Sequence, residues 1–132
     1  MNVSAVTFDA THTLFHAPRM AAIYAEVLGR HGLAVDASTL RPLVREVWLE
    51  FSCNADPRRD RFASHPGGAP GFWRRFLDRL CERLEVEPPS PFAARELYES
   101  FAGADAWEVY PDVVPALAEL RARNVKLAVV SN

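Results

Sequence analysis

The sequence predicts an α/β fold, a parallel-sheet core carrying an inserted helical cap, and three observations carry that expectation. An apolar run from Val3 to Phe8 meets a carboxylate, Asp9, at its end, and a second run from Leu127 to Val130 meets a hydroxyl, Ser131. Both runs read as strands buried on two faces, as in parallel sheets. Between them lie four stretches of helical spacing, and a fifth leads straight into the second run. Open α/β sheets bind ligands outside the carboxyl ends of their strands, so Asp9 and Ser131 stand where such sheets do chemistry. Because the second run ends the chain at Ser131 and Asn132, the core is expected to be incomplete in this chain.

The elements follow in order. After the first strand comes a turn through Asp9 to Thr13. From Pro18 to Gly32 the pattern is helical: Met20, Ile23, Tyr24, Val27 and Leu28 recur at i, i+3, i+4, i+7 and i+8, and Gly32 supplies the stop. A second helix is expected from Ser38 to Phe51, with Leu40, Leu43, Val44, Val47, Trp48 and Phe51 on one face and Ser38 or Thr39 as its cap ahead of Pro42. Asn54 to Gly71 holds three Pro, three Gly and three Arg without a period and reads as a loop of functional length. A third helix, Phe72 to Leu84, points Phe72, Phe76, Leu80 and Leu84 inward. Pro88 to Pro91 breaks the chain before a fourth, Phe92 to Phe101, and Gly103 to Trp107 is a connector. Pro111 and Asp112 then open a helix, Val113 to Arg123, with Val114, Leu117 and Leu120 on its apolar face. Asn124 is a left-handed cap before the strand Val125 to Val130. The expected domains are core over 1–16, helical cap over 17–102 and core again over 103–132. An insert just beyond a catalytic strand end becomes a lid.

Composition narrows the function classes. At 132 residues, 49% apolar and 24% charged, the chain is an ordinary globular domain. Its net charge of -2 offers nothing general to nucleic acid or to an anionic membrane. Arginine outnumbers lysine fourteen to one, Lys126 being the single lysine, a bias expected from genome composition. Cys53 and Cys81 are distant and unaccompanied by ligand-spaced histidines, and read as reduced, half-buried core thiols. Met1 runs directly into a strand with no leader pattern, and no apolar stretch nears membrane length, so a cytoplasmic location is expected.

A carboxylate at a strand tip beside a turn of free amides suits nucleophilic attack on phosphorus, splitting hydrolysis through an aspartyl-phosphate into two easier steps. An anionic nucleophile meeting an anionic phosphate calls for a divalent cation, and Mg²⁺ takes carboxylate, phosphate and water oxygens. The Ser131 hydroxyl and the amides around Ala10 and Asn132 could hold phosphoryl oxygens. On the residues alone, an aspartate after a strand is more often a turn-capping residue.

The motifs shift that balance. FDATHTL (Phe8 to Leu14) resembles the first motif of the haloacid-dehalogenase-like superfamily, and LAVVSN (Leu127 to Asn132) resembles its second. The segment from Tyr110 to Asn132 is similar to the helix and strand that precede the second motif in members with a helical cap. Within the superfamily the chain most resembles the subfamily IA, REG-2-like group of hydrolase domain-containing proteins, which also lack the second aspartate. The resemblance implies a Rossmann-like core and Mg²⁺-dependent phosphoryl transfer from a small phosphorylated metabolite. Asp9 would be nucleophile and Mg²⁺ ligand, Thr11 would give its backbone carbonyl to the metal, and Thr13 would steady Asp9. Ala10, Thr11, His12, Ser131 and Asn132 would line the phosphate site, with Asn132 orienting nucleophile or substrate.

Three departures qualify the resemblance. Thr11 stands where phosphatases of the family place an aspartate that protonates the leaving group and activates water, so turnover should be slow. A similar substitution occurs in the DKTGT motif of P-type ATPases. His12 replaces a usual glycine in a turn that often needs positive φ, and either fills the turn or offers a substitute proton donor. The family's later lysine and acidic pair follow the second motif, and Lys126 precedes it; the isolated chain is therefore expected to be inactive. The remaining polypeptide, or a second copy, is expected to cover the sheet edge. Elsewhere, His16 has a surface, hinge or substrate-contact role. His65 with Arg58, Arg59 and Arg61 is solvated charge or a contact to an anionic substrate. Trp48, Trp73 and Trp107 are packing residues. Two other readings stand beside the phosphatase: a 2-haloacid dehalogenase, which needs no metal, and a catalytically silent binding or scaffold relative.

Overall fold

The computed structural model describes residues 3–54, 56 and 58–130. Met1–Pro18 and Trp107–Asn132 form one unit, and Arg19–Ala106 forms the other. In the first, β1 (Ala5–Phe8) and β4 (Lys126–Val129) pair in parallel, in register from Ala5↔Lys126 to Phe8↔Val129. The Lys126 amide donates to the Ser4 carbonyl at 3.0 Å and the Val130 amide to the Phe8 carbonyl at 2.8 Å, so the carboxyl ends of the two strands lie side by side. Parallel neighbours require a crossover, here everything between them. The last part of it is a helix, Val113–Ala122, capped by Asn124 at φ 57 with the Val125 amide donating to the Leu120 carbonyl.

A second pair, β2 (Phe15–His16) and β3 (Glu108–Val109), is antiparallel, with Phe15 opposite Val109 and His16 opposite Glu108. It joins the chain leaving for the helical unit to the chain returning from it. Phe15 packs edge-on against Trp107 at 5.3 Å, and the His16 ring lies flat on Tyr110 at 4.5 Å. Two-residue strands carry no alternation, which is why the sequence does not announce them.

Two expectations fail in this unit. The strands are not buried: Val3, Val129 and Val130 are 58%, 58% and 66% exposed. A parallel strand is buried only when helices cover both faces, and among the described residues this unit contains a single helix. On that helix Val114 is 67% exposed and Val113 is buried instead. With valine at both positions, the spacing to Leu117 and Leu120 suits either one.

The helical unit contains α1 (Met20–Arg30), α2 (Ala37–Cys53), α3 (Gly68–Arg83) and α4 (Pro91–Ala102), followed by a 3₁₀ turn, Ala104–Ala106; Val113–Ala122 is α5. Each helix packs on the next and α4 closes against α1. Their apolar stripes meet in one core that includes Val27, Leu28, Leu40, Val47, Phe76, Leu80 and Ala93. Gly32, at φ 87, ends α1 as the Leu33 amide donates to the Leu28 carbonyl. The start of α2 differs from expectation: its cap is Asp36, with no side-chain cap bond, and Pro42 lies within the helix. The start of α3 comes earlier than Phe72, at Gly68. Pro70 is tolerated because first-turn amides have no intrahelical acceptor.

The segment before α3 is tied down by packing. Phe62 meets Phe72 edge-on at 4.9 Å, and the Asp60 carboxylate accepts from the amides of Phe62 and Ala63. His65 Nδ1 accepts from the Gly67 amide at 3.2 Å, and its ring lies so near Gly71 that a Cβ there would stand 2.8 Å from Nδ1. Trp48 is stacked on Trp73 at 5.9 Å yet remains 36% exposed. Cys81 is buried, and desolvation pushes its thiol up to about 11, whereas Cys53, at the end of α2, is exposed rather than half-buried. Two carboxylates pin helices together. Glu50 on α2 accepts from Arg79 and Arg83 of α3, and Glu96 on α4 accepts from His31 and Arg30 at the end of α1. Hydrogen bonds from these partners hold both carboxyls below their ordinary range.

Candidate active-site turn

Five of the seven site residues named from the sequence fall in one turn at the carboxyl end of β1. The Ala10 carbonyl is its hub, accepting from the amides of Thr13 at 3.3 Å, Leu14 at 2.8 Å and Phe15 at 3.3 Å. The His12 amide donates to the Phe15 carbonyl at 2.8 Å, which bridges Thr11 to Phe15. These bonds force His12 to φ 65, a left-handed conformation that costs most side chains energy and that glycine adopts freely. They use the amides of His12, Thr13, Leu14 and Phe15, so the His12 amide is spent on the turn itself. The Ala10 and Thr11 amides take no part in them.

Asp9 itself is exposed, one residue past β1, and Ala10 is buried beneath the turn. Among the described residues the Asp9 carboxylate has neither a hydrogen-bond donor nor an ion-pair partner, and no donor meets the Thr11 carbonyl. Thr11, His12 and Thr13 are exposed, and the Thr13 hydroxyl makes no bond to Asp9 among the described residues. Ser131 and Asn132 lie outside the described residues; the strand leading to them ends beside Phe8. Lys126 lies at the opposite end of β4, paired with Ala5. His65 and Arg61 belong to the helical unit and are packed on aromatic rings, while Arg58 and Arg59 are exposed.

Among the described residues no three His, Cys, Asp or Glu side chains gather as a metal site. The Asp9 carboxylate and the Thr11 carbonyl are nonetheless hard oxygen donors of the kind Mg²⁺ takes, its shell being filled otherwise by waters and phosphate oxygens. The turn therefore fits the ion as part of a shell. Chemically it presents an unpaired anionic oxygen at a strand end, flanked by main-chain groups not committed to the turn. The sequence did not show that the Ala10 carbonyl organises this turn; the apolar small residue directly after Asp9 was the only available signal.

A model of haloacid dehalogenase-like hydrolases matches residues 3–132 of the chain. Comparison with curated proteins gives no match. Among solved structures, an L-2-haloacid dehalogenase is 25% identical with a TM-score of 0.63, over 100% of this chain and 54% of that one. A predicted phosphoglycolate phosphatase from Haemophilus somnus 129pt is 20% identical with a TM-score of 0.58, over 98% of this chain and 52% of that one, a likeness of fold. The chain thus spans about half the length of the solved structures it matches.

Proposed function

Given that this chain belongs to the haloacid dehalogenase-like hydrolases, we propose that the protein it belongs to is a phosphatase that works through an aspartyl-phosphate on a small phosphorylated metabolite. The observation that carries the reading is the exposed Asp9 carboxylate at the carboxyl end of β1, without a partner among the described residues and in the same turn as the Thr11 carbonyl. A carboxylate oxygen of Asp9 forms a bond to phosphorus as the ester P–O bond breaks, and the leaving oxygen takes up a proton. Water then attacks the phosphorus, releasing inorganic phosphate and restoring Asp9. Asp9 and Thr11 would hold Mg²⁺, which when bound offsets charge between carboxylate and phosphate. The amides of Ala10 and Thr11, with Ser131 and Asn132, would receive phosphoryl oxygens, and Thr13 would steady the nucleophile. Thr11 carries no titratable proton, so poor leaving groups should turn over slowly; absence of a general acid costs roughly 10²–10⁴-fold. That threonine also supports placing the protein in the helical-cap, REG-2-like group.

Likeness to an L-2-haloacid dehalogenase supports a second reading, in which Asp9 displaces halide from carbon without a metal. Thr11 weighs against it, since dehalogenases of the family tend to carry a bulky aromatic at that position. The two are separated by assaying the complete protein, of which this chain is a part, on 4-nitrophenyl phosphate and 2-chloropropionate, each with and without Mg²⁺. The phosphatase reading expects Mg²⁺-dependent release of nitrophenol and no chloride. It also expects Asp9→Asn to lose more than nine-tenths of that activity with an unchanged unfolding midpoint, since Asp9 is exposed and holds no partner among the described residues. Chloride release instead, or an active Asp9→Asn variant, overturns it, and silence on both substrates would mark a binding relative.

A further inference from the structure

Among the described residues no side chain holds the Asp9 carboxylate, and the Thr13 hydroxyl makes no bond to it. Main-chain bonds on either side set its position instead. On one side the Val130 amide donates to the Phe8 carbonyl at 2.8 Å. On the other, the Leu14 amide donates to the Ala10 carbonyl at 2.8 Å, and the Leu14 carbonyl accepts in turn from the Tyr110 amide at 3.1 Å. Two hydrogen bonds thus lead from Tyr110 to the residue after Asp9. Tyr110 also anchors the start of α5, its carbonyl accepting from the Val113 amide at 3.1 Å.

The weak point of this path is its far end. β2 and β3, which bring Leu14 beside Tyr110, are two residues each, and an isolated pair of strands is marginal in water. Rings reinforce them. Neighbouring strand residues face opposite ways, so Phe15 meets Trp107 on one face while His16 lies on Tyr110 on the other, with centroids 4.5 Å apart and ring planes within 6° of parallel. Only the second contact involves Tyr110 itself. Both of its rings are half-buried, and neither the imidazole nitrogens nor the phenol oxygen has a hydrogen-bond partner among the described residues. Stacking is what these two side chains do here.

We infer that the His16–Tyr110 stack is a positioning clamp for Asp9. The two rings fix Tyr110 against β2, and Tyr110, through Leu14 and Ala10, fixes the carboxylate. The kinetic consequence rests on the phosphatase reading: a nucleophile misplaced by about 1 Å loses on the order of 10²-fold in rate. Releasing the clamp therefore lowers kcat and leaves KM nearly unchanged, since the groups proposed to hold phosphate are untouched.

The test uses the complete protein. His16→Val keeps strand propensity and Tyr110→Leu keeps apolar bulk, but each removes a ring; His16→Phe and Tyr110→Phe keep a flat one. On 4-nitrophenyl phosphate with Mg²⁺, the ringless variants should lose about tenfold or more in kcat with KM within about twofold. The phenylalanine variants should retain most of the native kcat. Hydrogen exchange gives a readout that needs no turnover. The Leu14 amide should exchange about fivefold faster or more in the ringless variants and at the native rate in the phenylalanine ones, with the Val130 amide unchanged in all. An inert native protein would overturn the phosphatase reading and not the clamp, which the Leu14 exchange then decides. Loss of kcat in every variant or in none, an effect confined to KM, or Leu14 exchange indifferent to removal of either ring each overturns the inference.

Discussion

At the scale of single residues, His12 offers the sharpest test of the turn. Its φ of 65 is imposed by hydrogen bonds on either side, and an L-residue in that region costs about 1 kcal/mol more than glycine before the extra freedom of an unfolded glycine is counted. His12→Gly should therefore raise stability by up to about 0.5 kcal/mol in denaturant melts, the relieved strain being partly offset by the freedom of an unfolded glycine; a clear loss instead would mean that the imidazole makes a compensating contact. Gly71 poses the opposite case. Alanine is the better helix former by about 1 kcal/mol, but a Cβ at that position would stand 2.8 Å from His65 Nδ1. Gly71→Ala alone should fail to stabilise, and in a His65→Ala background it should, with a coupling of about 1 kcal/mol or more in a double-mutant cycle. At this scale the sequence was informative about identity and poor about geometry. A histidine in a glycine position, and Asn124 as a left-handed cap, were both legible because positive φ leaves a residue-type signature. The use of the His12 amide within the turn was not, because main-chain bonding has no side-chain signal.

Between elements, the ion pairs make a prediction with a sign. Hydrogen bonds from Arg79 and then Arg83 hold the Glu50 carboxyl below its ordinary value. A carboxyl whose pKa is lower folded than unfolded adds stability above the unfolded value, about 4.3 for a glutamate, and loses it as pH falls further. The stability gap between the native protein and Glu50→Gln should thus be full at neutral pH and shrink from about pH 5 to pH 3. A gap constant over that range in urea melts would remove the carboxylate from this role. The helices themselves were largely legible, since apolar residues at i, i+3 and i+4 fix both type and inward face. What failed were features the period cannot carry: whether Val113 or Val114 faces inward, where Pro42 and Pro70 sit relative to a helix start, and the pair β2–β3, too short to have a period. Ion pairs were equally hidden, though the four-residue spacing of Arg79 and Arg83 marks a pair that can share one carboxylate.

For the whole molecule, the burial is uneven. Nearly all fully buried side chains, Phe76, Leu28, Leu40 and Leu80 among them, belong to the helical unit, while the sheet strands expose valines. Protection against hydrogen exchange follows local burial, so the slowest amides should be those of α2 and α3 and the faster ones those of β1 and β4; equal protection in both would show a single cooperative unit. The α/β class was legible because both strand ends carry polar punctuation, but the expectation of buried strands assumed helices on both faces that the described residues do not supply. The pairing of Ala5 with Lys126 also has a bearing on how the chain finds its fold. Bringing together positions about 120 residues apart costs a disordered chain about 4 kcal/mol in closure entropy beyond a constant. That cost is met in stages if the helices, whose contacts are local, form first, and if β2 and β3 then zip the two ends of the helical segment together. What remains to be closed is two short connections, so β1 and β4 can register late and quickly. Weakening the antiparallel pair should then slow refolding of the parallel one.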